Sequence, residues 1–393
     1  MYCLAKVGEK VKALNHIRFI SQGGEMAKVL FTVVFFVMVV GALFSWFYQP
    51  LMGVVAVSDL DEKLKVGFIY LGPPGDHGWT YQHDQGRLAL ERALGDQVET
   101  LYVEGVPEEG IAAENALERL VSDGAKLIFT TSFGYMESTL KVARRYPSVR
   151  FEHATGYKRS DNVSTYSSRF YEGRYIAGQI AGHISKTGQA GYVASFPIPE
   201  VMRGINAFLL GAQSVNPDFR MKVIWVDSWF DPDKEMIAAK KLLDQGVDIL
   251  TQHTDSTAVV QIGEENKVHS FGQASDMTPF APDFVLTSII NNWGDYYIER
   301  TKAVLEDTWL STDTFGGMDA NMVVMGDFKN MPEQVKRAAK ATAKAVTSGG
   351  LHPFAGPIIK KDGTTVVAVG EKLSLEALLG MNWYVQGVDV VGL

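Results

Sequence analysis

With 393 residues, the chain has room for two domains at roughly 150 residues each. Apolar residues make up 46% and charged residues 21%, ordinary globular proportions, and the net charge is −8. Lys6, Lys10, Lys12, Arg18 and Lys28 against Glu9 and Glu25 give the first 56 residues +3, so the remainder carries −11, which argues against nucleic-acid binding and its need for a basic face.

The single cysteine, Cys3, precedes an apolar segment. The body therefore has no disulfide, no zinc–thiolate cluster and no thiol nucleophile. Cys3 is misplaced for a lipoprotein and reads as an incidental residue of a leader. The apolar segment, VLFTVVFFVMVVGALFSW from Val29 to Trp46, follows basic residues as a signal peptide's core does, and Val54 and Ala56 offer a cleavage pair. Its length also suits a retained membrane anchor. Met26 is an alternative start. Residues 1–56 are thus a signal peptide or an anchor, and either places the body outside the cytoplasmic membrane, in the periplasm.

From Lys65 the pattern alternates. An apolar β-rich run over 65–71 ends in Gly72-Pro73-Pro74-Gly75, and helical spacing follows over 81–94. Strands over 98–103, 126–131, 150–154 and 163–167 interleave with helices over 110–122 and 135–145. Such βαβα order with short links predicts a parallel sheet covered on both faces. A helix over 171–185 carries Gly173, Gly178 and Gly182, read as close packing against a neighbour rather than flexibility.

The alternation then restarts. Strands over 190–195, 222–226, 249–252, 268–272 and 284–290 interleave with helices over 200–214, 232–245, 257–265 and 293–306. The tail adds a β-rich stretch over 322–326, a helix over 332–347, a Gly/Pro-rich hairpin over 353–367 and a short final helix. The expected fold class is α/β, with two Rossmann-like lobes built on parallel sheets. The first lobe is expected over 60–188 plus about 290–310. The second is expected over 189–289 plus about 311–393.

In open parallel sheets, ligands bind beyond the C-terminal ends of the strands. That rule selects the residues after each strand. GPPGDHGWTY offers Asp76 as a ligand acceptor or a helix cap, and Trp79 as a stacking ring or a core residue. TTSFGYME offers Phe133 as a second stacking surface or a core ring. VDSWFDPDKE offers Trp229, while Asp231 before Pro232 reads as a cap. Gln252 to Ser256, with His253 and Asp255, and the FGQASDM stretch, with Gln273 and Asp276, follow consecutive strands and together predict a polar wall. His253 on its own reads as a structural histidine. No GxxxxGK[ST] loop, strand-linked GxGxxG, HExxH or GxSxG elbow occurs, so nucleotide phosphates, zinc and a nucleophilic serine lack their usual supports.

These residues resemble a known family. KVGFIYLGPPGDHGWTYQHDQG, RFYEGRYIAGQIAG, WFDPDKE and SFGQASDM resemble, in order and spacing, motifs of the basic membrane protein (Bmp) family of ABC-transporter substrate-binding proteins. The resemblance runs from about Lys65 to the C-terminus. It implies a type I periplasmic-binding fold with several hinge strands and a ligand in the interlobe cleft. It further implies a purine or nucleoside ligand and an ABC permease of the inner membrane as partners, no cofactor, no metal, no catalytic residue and a monomer. Asp76 and Trp79 match first-lobe base contacts, Phe133 a nearby aromatic, Trp229 and Asp255 second-lobe positions, and Asp276 the late motif. HTDST stands where many relatives are glycine-rich, and Ser275-Asp276-Met277 where nucleoside binders often bring a lysine. These departures disfavour a ribose clamp and favour a free base, adenine foremost. The alternatives are a sugar or signal-molecule receptor of the same fold, or a nucleoside-processing hydrolase using Asp231, Asp255 and Asp276.

Overall fold

The computed structural model describes residues 63–393. The apolar leader, its cleavage pair, Cys3 and the alternative start at Met26 lie outside the described residues. No helix among the described residues is long and apolar enough to cross a membrane.

The first sheet starts with β1 (Leu64–Ile69), β2 (Val98–Val103) and β3 (Leu127–Thr130), and continues with β4 (Arg150–Ala154) and β5 (Val163–Ser168). Helices α1 (Trp79–Leu94), α2 (Ala112–Ser122) and α3 (Met136–Arg145) connect the first four strands. All four residues of β3 are buried, as in a strand covered on both faces. Side chains divide by the two-residue period of a strand. Val66, Phe68 and Tyr70 enter one apolar cluster with Leu90, Trp293 and Tyr297, while Ile69 and Ile128 enter another with Leu117 and Leu120.

The second sheet collects β6 (Gln189–Ala194), β7 (Arg220–Trp225), β8 (Ile249–His253), β9 (His269–Ala274) and β10 (Val285–Asn291). Helices α4 (Tyr171–Ile184), α5 (Pro199–Gln213), α6 (Pro232–Asp244) and α7 (Ala258–Asn266) cover its two faces. Downstream come α8 (Gly294–Leu305), β11 (Asp313–Gly316), β12 (Val323–Met325), α9 (Glu333–Thr347), the hairpin β13 (Ile358–Ile359) and β14 (Thr365–Val367), α10 (Leu375–Leu379) and β15 (Val388–Val390). The strand orders are β11-β5-β4-β3-β1-β2 and β12-β10-β9-β8-β6-β7-β15. Only the β10–β12 pair of these two sheets is antiparallel among the described residues. The expected α/β class with two parallel-sheet lobes holds.

The lobe boundaries differ from expectation. The chain leaves the first lobe directly after β5, not at 188. Helix α4 packs on α5 in the second lobe, where a Cβ at Gly178 would collide with the Phe208 carbonyl oxygen and one at Gly211 with that of Tyr175. The glycines serve close helix packing, as read from the sequence. The return segment also runs further than 310, because β11 pairs with β5 in the first sheet. Its residues, DTFG, carry no alternating signature, and β15, also unforeseen, joins the second sheet by pairing with β7. Three crossings therefore join the lobes: after β5, after β10, and between β11 and β12.

Each sheet reverses its strand order once, between β1 and β3 in the first and between β6 and β8 in the second. Crevices open at such switch points, outside the carboxyl ends of the strands.

Gly178→Ala should destabilise the protein in urea unfolding. Alanine gains about 1 kcal/mol in helix propensity, but the obstacle is a backbone carbonyl that cannot rotate away. Overpacking costs about 1–3 kcal/mol, so a net loss is expected, and a variant as stable as the parent would refute close α4–α5 packing.

Candidate functional site

The loop after β1 is organised by Asp76. Its carboxylate accepts from the main-chain N–H groups of Gly78 at 2.9 Å, Thr80 at 3.1 Å and Tyr81 at 2.8 Å, closing the start of α1. Asp76 is therefore a cap whose acceptors are already engaged, and it does not line the cleft. Of the two readings the sequence offered for Asp76, acceptor or cap, the cap is the one seen. The cap does place Trp79 at the first position of α1. The Trp79 indole Nε1 donates to the Thr131 carbonyl at 2.6 Å, and its ring meets His83 and Trp293 edge to face at 4.5 and 5.6 Å. The polar handle of the indole is thus satisfied inside the lobe.

This loop docks on the second lobe. A Cβ on Gly78 would overlap the Asp255 carbonyl, so only glycine fits there with the lobes this close. Ser275 Oγ donates to the His77 carbonyl, and the His77 and Phe280 rings lie 4.8 Å apart. The result is a narrow cavity of about 20 Å³ between the lobes. It is lined by Trp79, Ser132, Phe133 and Thr155 from one side and by Glu200, Trp229, His253, Asp255 and Gln273 from the other. Beyond Phe133, Thr155 and Glu200 a wider chamber of about 600 Å³ opens toward Tyr157, Arg203 and Phe315.

Of the six residues singled out from the sequence, Trp79, Phe133, Trp229 and Asp255 line one cavity. Asp276 does not. It is exposed and accepts from Thr278 N at 3.0 Å, Thr278 Oγ1 at 2.6 Å and Ser288 Oγ at 3.2 Å. A carboxylate two residues before a 3-10 turn finds local donors first. Asp231 is likewise a cap, accepting from Lys234 N at 3.1 Å. Of the three carboxylates that the hydrolase reading needs, only Asp255 lines the cavity. No group of three or more His, Cys, Asp or Glu side chains among the described residues could hold a metal.

Asp255 is the unusual group. It is buried, and none of the salt bridges among the described residues involves it. Its main-chain N–H donates to Trp229 O at 2.8 Å, which ties the two loops together. Burial, and then the negative charges of Asp76 and Glu235, push its carboxyl well above the usual range, while the Trp79 main-chain N–H works against the rise. Glu235, itself raised by burial, accepts from Thr254 Oγ1 and Ser256 Oγ at 2.7 Å each and pins the loop that carries Asp255. His253 is held neutral, first by burial and then by the positive charges of Arg174 and Arg203.

Ser132, Thr155 and Glu200 were not singled out from the sequence. All follow strands (β3, β4 and β6), so the strand-tip rule selects them; they lack the rings and clustered acids that drew attention elsewhere.

Residues 63–350 match the Bmp family, described as ABC transporter substrate-binding protein PnrA-like. The chain belongs to this family. A purine-binding protein of Brucella abortus is 60% identical over 329 residues, 84% of this chain and 94% of that protein. A Haloferax volcanii protein, provisionally named an ABC transporter glucose-binding protein, is 37% identical over 296 residues, 75% of each chain. Among solved structures, an ABC transporter solute-binding protein from Aeropyrum pernix aligns with a TM-score of 0.64 at 20% identity, covering 75% of this chain and 94% of its own. One from Conexibacter woesei gives 0.58 at 20% identity, covering 74% and 98%. Both support the two-lobed fold, and the Bmp chain is a solute-binding protein by family.

The raised Asp255 carboxyl fixes the sign of a pH effect. A group with a higher pKa folded than unfolded contributes stability below the unfolded pKa and loses it as pH rises through the folded one. Asparagine mimics the protonated form. Asp255→Asn should therefore raise the melting temperature of the ligand-free protein at pH 7.5, with the gain shrinking toward pH 4. A gain that is absent, or that grows on acidification, would show that the carboxylate is solvated.

Proposed function

We propose that the cleft captures a flat purine, a free base before a nucleoside and adenine foremost, for delivery to an ABC permease of the inner membrane. The observation that carries this reading is Asp255, a buried carboxylate without a cationic partner among the described residues, facing a narrow cavity that Trp79, Phe133 and Trp229 also line. A ring N–H or exocyclic amine is the partner that such a carboxylate lacks. The Brucella relative named for purine binding supports the same class.

The space of about 20 Å³ has room for roughly one water, so the lobes part to admit a base; the interaction energies are then of the right order. Stacking on protein rings contributes about 1–3 kcal/mol per base in single-strand binders. A hydrogen bond to a charged group adds about 1.5–3 kcal/mol. Three rings and one such bond give roughly 4.5–12 kcal/mol before the ordering costs of association. Micromolar binding needs about 8 kcal/mol net. The role is capture rather than chemistry, with no cofactor and no nucleic-acid partner. The protein acts as a periplasmic monomer, exported or anchored by the segment from Val29 to Trp46. Closure is favoured only by the extra affinity the ligand has for the closed form.

A sugar receptor is the second reading, favoured by the Haloferax relative's name and by the roomier outer chamber. A thermal-shift panel of purine bases, nucleosides, pentoses and hexoses separates the two. Purine bases should raise the melting temperature and sugars should not; the reverse pattern overturns the purine assignment. In calorimetry Trp79→Ala should weaken purine binding by about 2 kcal/mol, within the stacking range above. Unchanged affinity removes Trp79 from the site.

A further inference from the structure

Arg174 is wholly buried on α4 and forms no salt bridge among the described residues. Its guanidinium lies between the Phe170 and Tyr192 rings, 5.1 and 5.3 Å from their centroids. It donates to Thr251 Oγ1 at 3.0 Å, to the Gln252 carbonyl at 2.5 Å and to Gln273 Oε1. The Glu200 carboxylate supplies an opposing charge without a direct ion pair, and a buried cation is costly unless its hydrogen bonds are well placed. The contact with Gln273 points to a task for it.

A glutamine amide can turn over and exchange its oxygen for its nitrogen, so its polarity depends on its neighbours. Arginine has only donors. The end of Gln273 beside Arg174 must therefore be the oxygen. The other end, Nε2, makes no hydrogen bond among the described residues, and Gln273 lines the interlobe cavity. Gln273 is the last but one residue of β9 and Arg174 belongs to a helix packed beneath the same sheet, so this polarity is built into the lobe and does not wait for the ligand.

We propose that Arg174 is a positioning residue that locks the Gln273 amide with its N–H2 toward the ligand. The second lobe then offers one fixed donor, Gln273, and one acceptor, Asp255. The site reads a heterocycle that carries a hydrogen-bond acceptor, a ring nitrogen or a carbonyl, as well as the N–H that Asp255 receives. This rests on the purine reading and deepens it. Shape and stacking alone would admit any flat ring; the locked amide rejects rings without the acceptor.

The test is a calorimetric cycle between protein and ligand atoms. Adenine and hypoxanthine are compared with their 1-, 3- and 7-deaza analogues, each lacking one ring nitrogen, on the wild type, Gln273→Glu and Arg174→Lys. Gln273→Glu keeps an oxygen for Arg174 but removes the donor; Arg174→Lys keeps the charge but is too short to repeat the Nη2 contacts, so it holds the amide oxygen less firmly. In the wild type, at least one ligand replacement should weaken binding about tenfold, the scale of one hydrogen bond. The same replacement should cost less than about threefold in Gln273→Glu and an intermediate amount in Arg174→Lys. A merely structural Arg174 would lower affinity for all ligands alike and leave these ratios unmoved, and that result overturns the proposal. If Gln273→Glu does not fold, Arg174→Lys alone decides by the same ratio. Wild type that binds none of these bases would overturn the purine reading and this proposal with it; wild-type binding with equal affinities across the deaza series would overturn the locked donor only.

Discussion

A carboxylate kept from water without a cation governs the cleft. Asp255 sits at the tip of β8, under the main chain of the opposing lobe, where Gly78 comes so close that no side chain fits between them. Closing the lobes desolvates this group, and charge in a low-dielectric site is unfavourable until it is matched. Closure with an empty cleft therefore works against Asp255. Closure over a solute that donates a hydrogen bond does not. On the proposed reading, the cost of the unmatched acid and the selectivity of capture are two aspects of one arrangement.

The rest of the structure serves this meeting of lobes. The switch points of the two sheets bring the loops after β1 and β3 opposite those after β6 and β8. Asp76 spends its acceptors on three amides so that α1 begins at Trp79, and Glu235 holds the hydroxyls on either side of Asp255. Below the second sheet, Arg174 ties β8 to β9 and settles which end of the Gln273 amide faces out. Rings supply area and the polar groups supply orientation, the usual division in small-molecule sites.

Much of this was legible in the sequence. Alternating strand and helix patterns gave both lobes, because parallel strands are continuous apolar runs and their helices are amphipathic. The strand-tip rule picked out the three rings and Asp255 that line one cavity. Asp76 and Asp276 are engaged locally for a shared reason: an acid beside a helix or turn start has backbone donors within two to five residues, and those bonds do not show in composition. The lobe boundaries were displaced because crossing strands such as DTFG are short and polar, and because a glycine-bearing helix does not declare which neighbour its small face meets. The role of Arg174 was out of reach, since its partners lie 77 to 99 residues away along the chain.

The most direct measurement is a crystal structure of the protein with a purine bound. The account predicts the base lying in the interlobe cavity against the Trp79 and Trp229 rings, with one of its N–H groups donating to Asp255. A base held elsewhere, or a closed cleft in which the Asp255 carboxylate turns away from the ligand to water, would contradict it.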